Sequence, residues 1–577
     1  MKNTYTKSEA ISWPVPNYWD GLALILVLAV LVVMIMGTGE MAGHYQIGQA
    51  IPISLKPSAL PYYALLSVTR MLIALMCSLI FTFTIGTLAA KNKQAERIII
   101  PIIDVLQSVP ILGYLSFTVI GFLALFHGSM LGPECACIFV IFTSQVWNMT
   151  LSFYQSLRTV PEDLKEATTI FRLSAWQTFW RLEVPFAMPG LLWNAMLSMS
   201  GSWVYLVASE AITVANHNIT LPGIGSYIAL AISHANKTAM VYAIVAMFIV
   251  IFMYDQLLFR PLVAWSEKFK AEEDASEIVS QSWVLNLFQR ATFFQFIGSL
   301  FSKLGDSIIN IKLLRKQYKP TSDFQNPALL KLLFVAWNIV LYGIILFSVS
   351  VLFHFIFSAV SIMQIQHVAF LGLITAMRVI SMIILSSIIW IPIGVWIGLN
   401  PKASQIVQPI AQFLAAFPVN LLFPVAALLI LHFNLNVNIW TSPLMILGTQ
   451  WYILFNVIAG TIALPNNLKM AVQTLNVHGW LWWKKLILPG IFPYYITGVI
   501  TAAGGAWNIS ILSEAVNWGS THLHATGLGA YITHVTHIGD FPRIALGITI
   551  MSLYVLCINR LVWRPLYKIA ESKFQIR

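Results

Sequence analysis

Twelve apolar runs, most of them long enough to cross a bilayer, alternate along the chain with short polar segments. A hydrocarbon core needs roughly 20 apolar residues per helix. Six runs lie at about 21–37, 62–90, 98–126, 133–156, 186–211 and 239–259. Six more lie at about 331–356, 368–399, 406–431, 440–463, 490–515 and 542–562. Some exceed the minimum, so tilt is expected. Of 577 residues, 58% are hydrophobic and only 10% charged, with a mean hydropathy of +0.77. Soluble domains carry about 25% charged residues, so an ordinary soluble protein is excluded. The run at 21–37 follows Lys2 and Lys7 as a signal peptide would, but no small-residue cleavage site clearly follows it. It reads as a retained span.

The net charge of +11 is read by location and does not point to nucleic acid, because cytoplasmic loops collect Lys and Arg. Lys91, Lys93 and Arg97 fall in one loop, and Arg158, Lys165, Arg172 and Arg181 in another. The segments between them are nearly free of Lys and Arg, and the second half repeats the alternation. Both halves are expected to start and end in the cytoplasm.

An internal repeat is written in the Pro, Gly and charged residues. At a shift of 308, Arg70, Gly86, Pro101 and Pro110 meet Arg378, Gly394, Pro409 and Pro418. At a shift of 304, Pro161, Trp176, Pro185, Trp203, Glu210, Gly223, Gly225 and Arg260 meet Pro465, Trp480, Pro489, Trp507, Glu514, Gly527, Gly529 and Arg564. Two copies with even span counts are parallel repeats about an axis along the membrane normal. The expectation is an all-α polytopic membrane protein of about 12 helices in two six-helix repeats. Residues 1–262 form the first repeat, 263–330 a linker and 331–577 the second repeat. The linker carries an apolar-aromatic stretch, Trp283 to Phe301, then a basic run from Lys312 to Lys319. It reads as a helix on the inner membrane surface.

The loop between spans four and five carries the most specific signal. Pro161 suits a helix start, with Glu162 and Asp163 favouring its positive end. Leu164, Ala167 and Phe171 fall at helical spacing. Ser174-Ala175-Trp176 then reads as a turn into a second helix, and Pro185 and Pro189 as re-entry into the membrane. The second copy runs from Leu464-Pro465 through Trp480 to Leu488-Pro489.

This loop resembles the Glu-Ala-Ala loop of ABC importer permeases of the binding-protein-dependent type. Glu166-Ala167 and Leu182-Glu183-Val184-Pro185 match in the first copy, Ala471 and Leu486-Ile487-Leu488-Pro489 in the second. Met470 replaces the family Glu, and Arg172 and Asn476 replace the family Gly. Trp203 with Ser209-Glu210 and Gly223-Ile224-Gly225, repeated as Trp507, Ser513-Glu514 and Gly527-Leu528-Gly529, is similar to the nitrate/sulfonate/taurine/bicarbonate subgroup. The resemblance implies a type I importer fold in the bacterial cytoplasmic membrane and two partner ATPase subunits holding ATP and Mg. It also implies a solute-binding protein and a small-solute substrate, an oxyanion by subgroup. It assigns ATPase coupling to Leu164, Lys165, Glu166, Ala167, Phe171, Arg172 and Trp176. In the second copy the coupling residues are Leu468, Lys469, Met470, Ala471, Leu475, Asn476 and Trp480. The departures predict either an unequal pair of ATPase contacts or a specialised partner.

The chain has no Gly-Lys pair and therefore no phosphate loop of its own. No cofactor is expected within it. Gly223, Gly225, Gly527 and Gly529 read as turn punctuation in external loops. Cys77, Cys135, Cys137 and Cys557 form neither a disulfide framework nor a zinc spacing.

Arg70, Arg378, Glu210 and Glu514 lie within spans, where a central charge costs roughly 2.5–3.5 kcal/mol unless paired or lining a pathway. One ion pair per copy is one reading. A polar vestibule for an anion, recognised by the arginine fork, is the other. Trp203 and Trp507 fit a pathway or an interfacial anchor. His522, His524, His534 and His537 crowd the last external loop without standard metal spacing. A secondary transporter driven by an ion gradient is the rival function. It needs no patterned cytoplasmic loop. A membrane enzyme is a weaker rival, lacking a clustered catalytic set at either face.

Overall fold

The computed structural model describes residues 17–28, 51–214, 217–269, 282–310 and 327–574. The expected apolar runs are helices. Among the described residues, seven helices are long and apolar enough to cross a membrane: Pro57–Lys91, Leu131–Arg158, Ala175–Glu210, Lys237–Phe269, Ile362–Leu399, Gly479–Ser513 and Phe541–Ala570. Three bent pairs bring the number to ten. The runs at 21–37 and 331–356 fall on helix Tyr18–Leu28, where description stops, and on helix Pro327–Phe357. Lys237–Phe269 exposes Val241, Val245, Phe248, Ile249 and Phe252. Such an apolar stripe suits a lipid-facing surface and would be a liability in water.

Two expected straight spans are broken. The run 98–126 is Lys93–Leu106 followed by Ile111–Leu125 at 102°, and 406–431 is Pro401–Ala416 followed by Val419–His432 at 77°. The break in each falls at a repeat-marking proline, Pro110 (ψ 119°) or Pro418 (ψ 110°), both in extended conformation. The residue before a proline is pushed out of the helical region, so the first helix ends there. The run 440–463 bends by a further 45° between Leu447 and Gln450, whereas its counterpart Leu131–Arg158 is one helix.

Other prolines leave the helix continuous. Pro185 and Pro189, expected to mark re-entry, sit inside the single helix Ala175–Glu210. Wide π turns at Phe179–Glu183 and Trp483–Ile487, and at Asp255–Phe259 and Asn559–Trp563, precede Pro185, Pro489, Pro261 and Pro565. Proline donates no N–H and its ring presses on the preceding turn. Widening that turn lets the helix run on.

The chain divides into two compact units. One comprises the described parts of 1–38, 152–194 and 253–322, the other those of 39–151, 195–252 and 323–577. In the second unit the repeats exchange contacts in a symmetric way. Ile111 N, at the first bend, donates to Asn508 Oδ1 at 2.6 Å, and Asn420 Nδ2, at the second bend, donates to Val204 O at 3.3 Å. Val204, Val419, Phe423, Ile509 and Leu523 share one buried cluster there.

In the first unit the described linker residues 282–310 form two helices, Trp283–Arg290 and Thr292–Ile309, in place of the single helix expected. Asp20 caps the second, its Oδ1 accepting from Phe293 N at 2.9 Å and its Oδ2 from Thr292 Oγ1 at 3.1 Å. Ala23, Leu287 and Ala291 pack beneath. The far end of that helix reaches the segment that follows the loop between spans four and five. Gln177 Nε2 donates to Asn310 Oδ1 at 2.9 Å, and Arg181 lies 3.9 Å from Asp306.

Candidate functional site

Each long helix of the fifth span ends in a buried glutamate, and each glutamate organises a polar node. Arg70 meets Glu134 through two parallel bonds, Nε–Oε2 at 2.6 Å and Nη2–Oε1 at 2.7 Å. Its Nη1 donates to Glu210 Oε1 at 2.7 Å and to Pro222 O at 2.9 Å. Glu210 also accepts from Ser67 Oγ at 2.6 Å and from Gly225 N at 2.6 Å. The Arg70 side chain is 1% exposed. The second node repeats this with two substitutions, Thr375 for Ser67 and Asn438 for Glu134. Glu514 accepts from Thr375 Oγ1 at 2.8 Å, Arg378 Nη1 at 3.1 Å and Gly529 N at 2.7 Å. Asn438 stands in the place of Glu134, accepting from Arg378 Nη2 at 3.1 Å and Thr526 N at 2.7 Å. The Arg378 side chain is 12% exposed.

The glycines are explained by these carboxylates. A Cβ on Gly223 or Gly527 would lie 2.4 or 2.3 Å from the glutamate carboxyl, and one on Gly225 or Gly529 would lie 2.5 or 2.3 Å from a helix carbonyl. The loop must approach the buried charge closely enough to donate its N–H, and only glycine leaves the room. Between each glutamate and its glycines runs a small antiparallel hairpin. Ala211–Val214 pairs with His217–Thr220, and Ala515–Trp518 with Thr521–His524.

Sequence reasoning offered the Arg–Glu pairs as one of two readings and missed Ser67, Thr375, Glu134 and Asn438. The signal was available: Glu134 is a carboxylate at a span edge, and it meets Asn438 at the same 304 shift.

A cavity of about 230 Å³ lies among residues of both repeats. Thr143, Ser144, Trp147 and Asn148 of Leu131–Arg158 and Ser198, Ser200 and Tyr205 of Val184–Glu210 form one side. Thr449, Tyr452, Thr501, Gly504, Gly505 and Trp507 form the other. Among the described residues, no Asp, Glu, Lys, Arg or His lines it. Of the six residues expected on a pathway, Trp507 lines the cavity, while Trp203 is buried and the four node charges lie elsewhere. Space is made by small residues: a Cβ on Gly504 would meet nothing within 4 Å.

The two loops before the fifth helices have one construction. In the first, helix Glu162–Ile170 ends at Phe171, and Arg172 follows at φ +51°. Leu173 N donates to Thr168 O at 3.0 Å and Arg172 N to Thr169 O at 3.0 Å. In the second, helix Asn466–Thr474 is followed by Leu475 and by Asn476 at φ +50°. Val477 N donates to Val472 O at 3.1 Å and Asn476 N to Gln473 O at 3.0 Å. Both ends are Schellman motifs, which require a left-handed residue. That requirement accounts for the glycine of the resembled consensus. In the first loop Ser174 caps the next helix in a capping box with Gln177.

Apolar tips protrude. Phe171 is 75% exposed and Leu475 74%, with Leu164, Ile170, Leu468 and Met470 also exposed. Lys165, Glu166, Arg172, Ala471 and Asn476 are exposed, and Ala167 and Lys469 half-buried. Trp176 is half-buried, whereas Trp480 is 73% exposed.

These features define a class: a polytopic helical membrane protein of two parallel repeats, with a shared polar cavity and a protruding loop per repeat. The family model for binding-protein-dependent transport system inner membrane components matches residues 82–260 and again 390–563. Together these cover more than half of the chain, and the chain belongs to that family as a tandem permease. The nitrate import permease protein NrtB of Synechocystis sp. is 24% identical over 144 residues, 25% of this chain and 50% of that protein. The bicarbonate transport system permease protein CmpB of Synechococcus elongatus is 22% identical over 146 residues, with the same shares. The taurine transport system permease protein TauC of Escherichia coli is 27% identical over 146 residues, again 25% and 50%. The chain thus spans about half the length of these relatives.

Proposed function

We propose that this chain forms the whole translocation pathway of an ATP-driven importer for a small oxyanion. The observation that carries the reading is the course of the fifth helices. Ala175–Glu210 and Gly479–Ser513 each start beside a protruding loop, pass the cavity wall and end at a buried node. A helix of this length spans about 50 Å, so movement imposed on the loop shifts the cavity wall with it. One ATPase subunit under each loop, holding ATP and Mg, would supply that movement. Alternating access by one repeat rocking on the other is the mode that parallel repeats favour. The chain itself contributes no ATPase chemistry and no cofactor.

The Lys/Arg pattern supports a cytoplasmic location for both termini and both loops in a bacterial inner membrane. A solute-binding protein on the opposite side fits the family's description. The oxyanion class rests on the relatives named for nitrate, bicarbonate and taurine. Residues 1–262 and 331–577 serve as the two permease repeats, and 263–330 joins them.

The test is co-purification with a candidate ATPase, before and after Leu164–Phe171 and Leu468–Leu475 are replaced by Gly-Ser sequence. Loss of binding and of ATP-driven uptake is expected. ATPase binding that survives both replacements, or uptake driven by an ion gradient without ATP, defeats the reading in favour of a secondary transporter.

A further inference from the structure

The cavity hydroxyls are mostly occupied by the protein itself. Ser200 Oγ donates to Met196 O, Thr501 Oγ1 to Thr497 O and Ser108 Oγ to Asp104 O. Ser144 and Ser202 share a hydrogen at 2.7 Å. Two lining groups differ. Ser198 is 3% exposed and its Oγ has no hydrogen-bond partner among the described residues, and neither has the buried Nε1 of Trp147. A buried donor left unpaired costs about 1–3 kcal/mol, and an indole N–H can only donate.

The two groups lie at a similar depth by helix register. Leu131–Arg158 and Val184–Glu210 run antiparallel, fixed by the Ser144–Ser202 contact and by Gln145 Nε2 on Met199 Sδ. Trp147 is three residues beyond Ser144, and Ser198 is four before Ser202, so both lie one turn to the same side of that bridge. At about 1.5 Å per residue their depths agree to within about 2 Å. The second repeat has no equivalent pair, because Ala502 stands where Ser198 does at the 304 shift.

We infer that Trp147 Nε1–H and Ser198 Oγ–H form a two-donor subsite that holds one oxygen-bearing group of the passing oxyanion. This deepens the import reading and rests on it. Neutral donors in an uncharged wall bind an anion through its own charge alone. A pathway site must be weak enough to release, and a lining arginine would oppose release. The pair also sets the solute off the pseudo-axis, against the first repeat.

The test uses the full chain with indole-¹⁵N tryptophan, the Trp147 signal being assigned from Trp147→Phe. Titration with nitrate, bicarbonate or taurine is expected to move that signal saturably for at least one of them, and Ser198→Ala to weaken the response several-fold. In proteoliposomes with the partner ATPases, Trp147→Phe should raise the half-saturation concentration of uptake about tenfold. Ser386→Ala, another buried unpartnered hydroxyl but outside the lining, should leave both readouts unchanged. A Trp147 signal silent to all three anions, or moving equally with a neutral amide such as acetamide, overturns the subsite. A responsive signal in a chain that binds no ATPase overturns the import reading and leaves the subsite standing.

Discussion

Arg70 and Arg378 occupy one position of the repeat and are held differently. Arg70 answers two carboxylates in full burial, whereas Arg378 answers one and leans on an exposed asparagine. Removing one partner of a buried pair costs about 3–5 kcal/mol, because the remaining charge is stranded. Arg70→Met is therefore expected to lower thermal stability in detergent far more than Arg378→Met. Equal losses would contradict this asymmetry. Asn438→Asp rebuilds the first node in the second and should be tolerated. A different residue-level effect sits in the second hairpin. Burial, then His522 and His534, hold the His524 pKa below its usual 6.5. The neutral form is the one the fold favours. Its contribution is complete above pH 6.5 and declines as pH falls below that value. Protection of the 515–524 amides, corrected for the intrinsic exchange rate, should fall toward pH 5, and His524→Gln should remove that pH dependence.

At the scale of elements, the two protruding loops share backbone geometry and differ in side chains and surroundings. A left-handed residue other than glycine carries a penalty of roughly 1–2 kcal/mol, smaller for asparagine, whose short side chain bonds locally. Arg172→Gly is expected to stabilise the first loop by about 1 kcal/mol, and Asn476→Gly by less, read by hydrogen exchange across 162–173 and 466–477. The sequence already marked these positions as departures from a glycine. That they are Schellman ends at positive φ became visible only with the backbone. The linker helix is a second case. Its apolar-aromatic run was legible, but its contacts with Gln177 and Arg181 join residues about 130 apart in sequence. The first loop is braced on that helix, while Trp480, the counterpart of Trp176, stands exposed.

At the scale of the whole molecule, the cavity depends on small residues where the repeats meet. Gly504 is expected to tolerate alanine, whereas Gly504→Leu should abolish uptake while leaving ATPase binding and thermal stability near wild type. Full uptake by Gly504→Leu would place the pathway elsewhere. By itself the sequence determined membrane residence, the helical class, the repeat and its marks, and the two loops, because apolar run length and Pro, Gly and charge spacing are local properties of the chain. It offered the Arg–Glu pairs as one of two readings. Tertiary structure alone decided that Glu134 and Asn438 complete the nodes, and that a cavity with two unpaired donors, and no charged side chain among its described lining residues, lies between the repeats. Those features join residues tens to hundreds of positions apart, and a helix period reports which face is polar but not what that face meets.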